Sequence, residues 1–153
     1  MRTHEPGEDS RFSLTECPVC GGGRFHQQPV LWPELISEWH LAPEEVQYID
    51  QQQGLACLDC GNNLRDMTLA AAINATFAHS GTLRELCRSN PSFRALHLLE
   101  INSAGELTSV FGLLPHHSLV AFPEFDMQAM ERPDNSVEII VHSDTLEHVP
   151  DPL

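Results

Sequence analysis

Cys17-Pro18-Val19-Cys20-Gly21 and Cys57-Leu58-Asp59-Cys60-Gly61 are two copies of one local device, and they constrain this chain more than any other feature. A C-x-x-C turn brings two sulfurs to one side of the backbone, and the glycine after it permits the tight turn. Two such turns supply four thiolates, the tetrahedral shell of structural zinc. Cys17, Cys20, Cys57 and Cys60 are therefore expected to bind one zinc ion. A shell of four cysteines leaves no open position for water or substrate, so the metal should be structural rather than catalytic. The competing readings are free core thiols or a redox-active C-x-x-C, which needs only one pair and usually a thioredoxin-like setting. His26 and His40 lie in the same region, and with four cysteines at hand they are expected in surface or capping roles. Cys87, alone on a predicted helix, reads as a small buried apolar residue.

Residues 21–56, a stretch of 36, separate the two pairs, more than a minimal ribbon needs. Pro33-Glu34 is a good helix opening, and Leu35, Ile36 and Trp39 fall on one helical face. A second helix begins near Ala42-Pro43-Glu44-Glu45, presents Val46 and Ile49, and ends at Gly54. Helices this short are marginal in water, so metal binding should help to fold them. After Cys60, Asn62 or Asn63 is a plausible N-cap for a longer helix with Met67, Ala70, Ala71, Asn74 and Phe77 along one face. Another helix groups Leu83, Leu86 and Cys87 and is stopped by Asn90-Pro91.

The pattern then changes. Residues 95–101, 118–122 and 136–142 are short apolar runs, the first two separated by a small-residue turn and a helical pattern through Leu107, Val110, Phe111 and Leu114. Strand, turn, helix, strand, turn, strand is the beginning of a doubly wound α/β sheet, in which ligands bind at the carboxyl ends of the strands. Polar residues collect at that predicted edge: Glu100, Asn102 and Ser103, then Glu124 and Asp126, then Ser143, Asp144, Glu147 and His148. The expected organisation is a disordered tail over 1–16, a zinc-binding helical module over 17–90 and an α/β portion over 91–153.

Charge bounds the partners. The chain has 22 Asp and Glu against 8 Lys and Arg, a formal net charge of −14, which argues against general attraction to nucleic acid. No apolar run approaches a membrane span, and Arg2, His4, Glu5, Glu8 and Asp9 break up any signal-like core, so a cytoplasmic location with reduced thiols and no membrane partner is expected. Asn74-Ala75-Thr76 matches a glycosylation acceptor but sits in a helical pattern, and is discounted.

The stretch from Val137-Glu138-Ile139-Ile140-Val141-His142-Ser143-Asp144 through Thr145-Leu146-Glu147-His148-Val149-Pro150-Asp151-Pro152 resembles the strand-four segment of class I S-adenosylmethionine-dependent methyltransferases of the type 11 kind. Pro133-Asp134-Asn135-Ser136 matches the turn before it. Leu98-Leu99-Glu100-Ile101-Asn102-Ser103-Ala104-Gly105 resembles a degenerate form of the family's glycine-rich first motif. The resemblance covers residues 93–153, and the zinc module with Gln51-Gln52-Gln53-Gly54 and Gly61-Asn62-Asn63-Leu64-Arg65 is similar to an extension found before some of these domains. It implies a partial Rossmann-like sheet preceded by a small zinc-ribbon-like module, with S-adenosylmethionine as cofactor and an unknown methyl acceptor. By motif position Glu100, Asn102, Ser103 and Ala104 would line the first turn, Asp126 with Met127 would sit at the adenine, and Asp144 would border the acceptor side. Glu124 is the candidate substitute for the acidic residue expected after the second strand, where Ala121 stands instead. No residue is assigned as a general base.

The first turn departs from the family in carrying Asn102, Ala104 and Glu106 where small flexible residues are usual, and there is no room for the usual helix before Asp126. The chain stops after strand four, so an incomplete domain is expected. The alternative reading is a non-catalytic zinc-binding interaction protein with a degenerate methyltransferase-like fold.

Overall fold

A computed structural model describes residues 14–150. The tail expected over 1–16 lies outside the described residues except for 14–16, where Leu14 packs against the core.

The first sheet is a two-stranded antiparallel ribbon, β1 (Phe25–Gln27) against β2 (Leu55–Cys57), with Phe25 opposite Cys57 and Gln27 opposite Leu55. One C-x-x-C turn precedes β1 and the other begins at the end of β2, so the ribbon sets the two turns side by side. Helices α1 (Pro33–Glu38) and α2 (Pro43–Gln53) loop out between the strands, each with proline in its first turn as expected. Their expected apolar faces find little to cover them. No residue of either helix is buried, Leu35 and Ile36 are half-buried, and Trp39 is exposed. Periodicity reports an amphipathic face, but not whether anything packs against it.

The second ribbon turn leads into α3 (Leu64–Thr76). Asn63 Oδ1 accepts from the Asp66 backbone N–H at 3.0 Å, and Asp66 Oδ2 accepts from the Asn63 N–H at 3.4 Å, a reciprocal capping box. The buried face holds Met67, Ala70, Ile73 and Asn74; Ala71 points to solvent instead. Asn74 donates to the carbonyls of Pro18 and Gly81, tying α3 to the first cysteine turn. Thr82 caps α4 (Leu83–Ser89) through Glu85 N–H at 3.2 Å, and Asn90 caps α5 (Pro91–Arg94) through Phe93 N–H at 2.9 Å. Asn90-Pro91 thus ends one helix and opens the next.

The second sheet is parallel, with β3 (Leu98–Ile101) between β4 (His117–Val120) and β5 (Ile139–His142). Leu99 lies opposite Ser118 on one side and Ile140 on the other. β3 is shorter than the apolar run that announced it, because Ala95 and Leu96 complete the turn leaving α5. From β3 the chain passes through α6 (Leu107–Phe111) to β4, then crosses back over the sheet to β5, so the strand order reverses at β3. The result is a mixed α/β fold with a small parallel sheet, helices and a cysteine cluster.

Among the described residues one hydrophobic core joins the cysteine turns, the later helices and the parallel sheet. Val19 and Cys57 from the cysteine turns, Met67 and Ala70 from α3, Leu83 and Leu86 from α4, Leu107, Val110 and Phe111 from α6, and Leu98 and Val141 from the sheet belong to a single buried cluster. Each large apolar side chain there contributes about 1.5–3 kcal/mol by burial. Cys87 is in this cluster as expected, and burial pushes its thiol up to about 12. Among the described residues no helix is long and apolar enough to cross a membrane.

Candidate metal centre and carboxyl-edge pocket

The two cysteine turns have the same backbone. Gly21 N–H donates to Cys17 O at 2.8 Å and Gly61 N–H to Cys57 O at 2.9 Å; Cys17 N–H donates to Gly22 O and Cys57 N–H to Asn62 O. Gly21 and Gly61 both take positive φ, +80° and +77°, where a side chain is strained. The four Sγ atoms lie within 4.8 Å of one another, with Cys17–Cys60 at 3.7 Å and Cys20–Cys57 at 3.8 Å. Sulfurs at the corners of a tetrahedron with zinc–sulfur bonds of about 2.3 Å stand about 3.8 Å apart. The separation is far too long for a disulfide, and all four cysteines are free. The donor set therefore fits a metal such as zinc, with every corner filled by protein. His26 and His40 are not in the group. His26 Nε2 pairs instead with Gln28 Oε1.

Asn62 sits behind this centre, almost fully buried, and its amide donates to Cys60 Sγ at 3.2 Å. Gly22 N–H approaches Cys20 Sγ at 3.4 Å from the corresponding position of the other turn. Burial pushes the Cys17 thiol well above its ordinary range and Cys20 up to about 11. Burial also acts to raise Cys60, but donation from the Asn62 backbone and amide and from neighbouring thiols outweighs it and leaves this thiol lowered. A dication held here would favour the thiolate form of its cysteine ligands.

The residues expected at the carboxyl ends of the strands are distributed between a braced turn and separate hollows. Glu100 does not face a hollow: fully buried beneath the turn after β3, it accepts from Ala104 N–H at 2.8 Å, from Thr108 Oγ1–H at 2.5 Å, and shares a 2.7 Å hydrogen bond with His117 Nε2. Ala104 is buried against it, and Ser103 Oγ pairs with Thr108 Oγ1. Asn102 has φ +56° at the tip of the turn, a sparsely populated conformation for a residue with a side chain. Its amide reaches both flanking strand ends, accepting from Phe122 N–H and donating to Thr145 Oγ1, each at 3.3 Å.

A hollow of about 390 Å³ opens beside Asn102, lined also by Ile101, Phe122, Phe125, Asp126, Met127 and Thr145. Asp126 caps the short turn Met127–Ala129 by accepting from Gln128 N–H at 2.9 Å. Glu124 lies outside this hollow, in a shallow recess with Glu131 and Arg132. Asp144, with φ +47°, lies in a larger cleft of about 710 Å³ between α3 and the end of β5. There it forms an ion pair with Arg65 of α3. Thr145 borders both spaces. Phe122 and Phe125 were not singled out as site residues from the sequence; Phe122 entered only as the end of the 118–122 apolar run, and the structure leaves it 72% exposed just past a strand end.

Comparison with known families, curated proteins and solved structures returned no match. The methyltransferase resemblance therefore rests on its sequence motifs.

Proposed function

We propose that the hollow beside Asn102 binds S-adenosylmethionine and that the chain takes part in methyl transfer, its zinc serving only as a closed structural staple. The observation that carries this reading is the hollow's place: at the carboxyl ends of parallel strands, next to the strand where the order reverses, which is where open α/β sheets bind ligands. Asn102, Asp126 and Met127, assigned to the cofactor by motif position, all line it. Phe122 and Phe125 offer flat apolar faces for an adenine ring, and Asp126 an acceptor for its amino group. The cofactor brings a methyl group on a sulfonium. The chain's contribution is position: Asn102 fixes three strand ends at once, and the neighbouring cleft at Asp144 leaves room for an acceptor.

A calorimetric titration of the zinc-loaded protein with S-adenosylmethionine tests the reading. Saturable binding that is lost on replacing Asp126 supports it; no heat up to millimolar cofactor sinks it. The second reading, a non-catalytic zinc-binding interaction protein, draws on the side chains of Asn102, Ala104 and Glu106 where the family has flexible residues. It predicts zinc-dependent folding without cofactor affinity.

A further inference from the structure

The α1–α2 excursion, residues 28–53, holds no buried residue, yet it carries interface-like side chains. Trp32, Trp39 and Tyr48 are 56%, 60% and 60% exposed, and neither helix buries a single residue. Large aromatics are costly to leave in water and are enriched where proteins meet. Beside them stand Glu34, Glu38, Glu44, Glu45 and Asp50, with no Arg or Lys anywhere in residues 28–53. Glu45 is used as a cap on Ala42 N–H and Asp50 accepts from Val30 N–H, but Glu34, Glu38 and Glu44 form no ion pair among the described residues. A hollow of about 350 Å³ between Leu41, Glu44, Glu45, Tyr48 and Ile49 gives the surface relief.

The charge decides what can sit there. Phosphate backbones and anionic membranes are repelled. A second copy of this chain, net −14, brings the same sign. An uncharged apolar partner would strip water from the carboxylates without pairing them. A cationic polypeptide satisfies both features, its guanidinium and ammonium groups stacking on the aromatic rings and pairing with the acids. We infer that residues 28–53 are a docking surface for a basic segment of another protein, with Trp32, Trp39 and Tyr48 as anchors and Glu34, Glu38 and Glu44 as its charge partners. This holds whatever the hollow at Asn102 binds.

Trp32 and Trp39 are the chain's two tryptophans, so fluorescence reads this surface directly. The full zinc-loaded chain is titrated with a synthetic Arg- and Leu-containing peptide, and separately with its Glu-substituted counterpart, a single-stranded RNA and phosphatidylserine vesicles. The expected result is a saturable emission change with the basic peptide alone, weakened by salt. The triple variant Glu34→Gln, Glu38→Gln, Glu44→Gln, altered only at solvent-facing sites, should bind it about tenfold more weakly. Tyr48→Ala, which keeps both tryptophans, should also weaken binding. No saturable change, an unchanged affinity in the triple variant, or tighter binding of RNA or vesicles would overturn the inference.

Discussion

Glu100 and His117 share a 2.7 Å hydrogen bond inside the parallel sheet, and the carboxylate has no exposure to water. Through its other oxygen Glu100 also holds Ala104 N–H and Thr108 Oγ1–H, so one side chain closes the turn on which Asn102 sits. Replacing Glu100 with Ala removes the shared partner of three buried or half-buried groups at once, and only Thr108 keeps another, Ser103 Oγ. The expected loss is about 3–5 kcal/mol, read by urea unfolding. Glu100→Gln, which keeps the shape, should lose less.

Asn62→Leu keeps the volume near the metal centre but removes the donor to Cys60 Sγ. Groups that orient a metal ligand from behind are worth about 10–100-fold in affinity. Competition with a chromogenic chelator should show a fall of that order with the fold retained. An unchanged zinc affinity would mean that the amide is only filling space.

Metal and pH should be coupled with a definite sign. Cys17 and Cys20 hold their protons more tightly in the metal-free fold than in the open chain. For Cys20, the stability this gives is complete below its ordinary value of 9.0 and is lost as pH rises through about 11. Metal-free protein should therefore lose melting temperature between about pH 9 and 11. Zinc uptake must expel thiol protons, so affinity should rise with pH from acid to neutral. Thermal melts with and without chelator across this range check both, and a chelated protein equally stable at both ends of the alkaline window would contradict the first.

Phe122→Ala separates binding from folding. The side chain is 72% exposed, so its removal should change stability by no more than about 0.5 kcal/mol. If an adenine stacks on it, the same change should cost about 1–3 kcal/mol of binding free energy, roughly 5- to 150-fold in Kd for S-adenosylmethionine. Equal affinity for the two proteins would remove Phe122 from the site.

The cysteine turns, the cap at Asn63 and the three strands were legible because each rests on local chemistry that a few adjacent residues encode. What escaped depends on the third dimension. Glu100 shows itself as polar in an apolar run, but its downward direction, away from the hollow, is set by Thr108 and His117 from other elements. Leu35, Ile36 and Trp39 share a helical face with nothing buried on it. Residues 130–137 run past Leu99 and Ile140 of the sheet as irregular chain, which carries no period to read.

The seam between metal ribbon and sheet is closed by small residues in near contact. A methyl group added to Gly61 would stand 3.5 Å from Glu106 Cγ, and one added to Gly105 would stand 3.2 Å from Asp66 Oδ2. Arg65 and Asp144 span the same junction. The ribbon is thus no detachable cassette. A cut at residue 90 would pass through a shared interior and leave Leu98, Leu107, Val110, Phe111 and Val141 facing water. Metal supply then governs more than a local loop: the amount of intact protein should follow the zinc available to it.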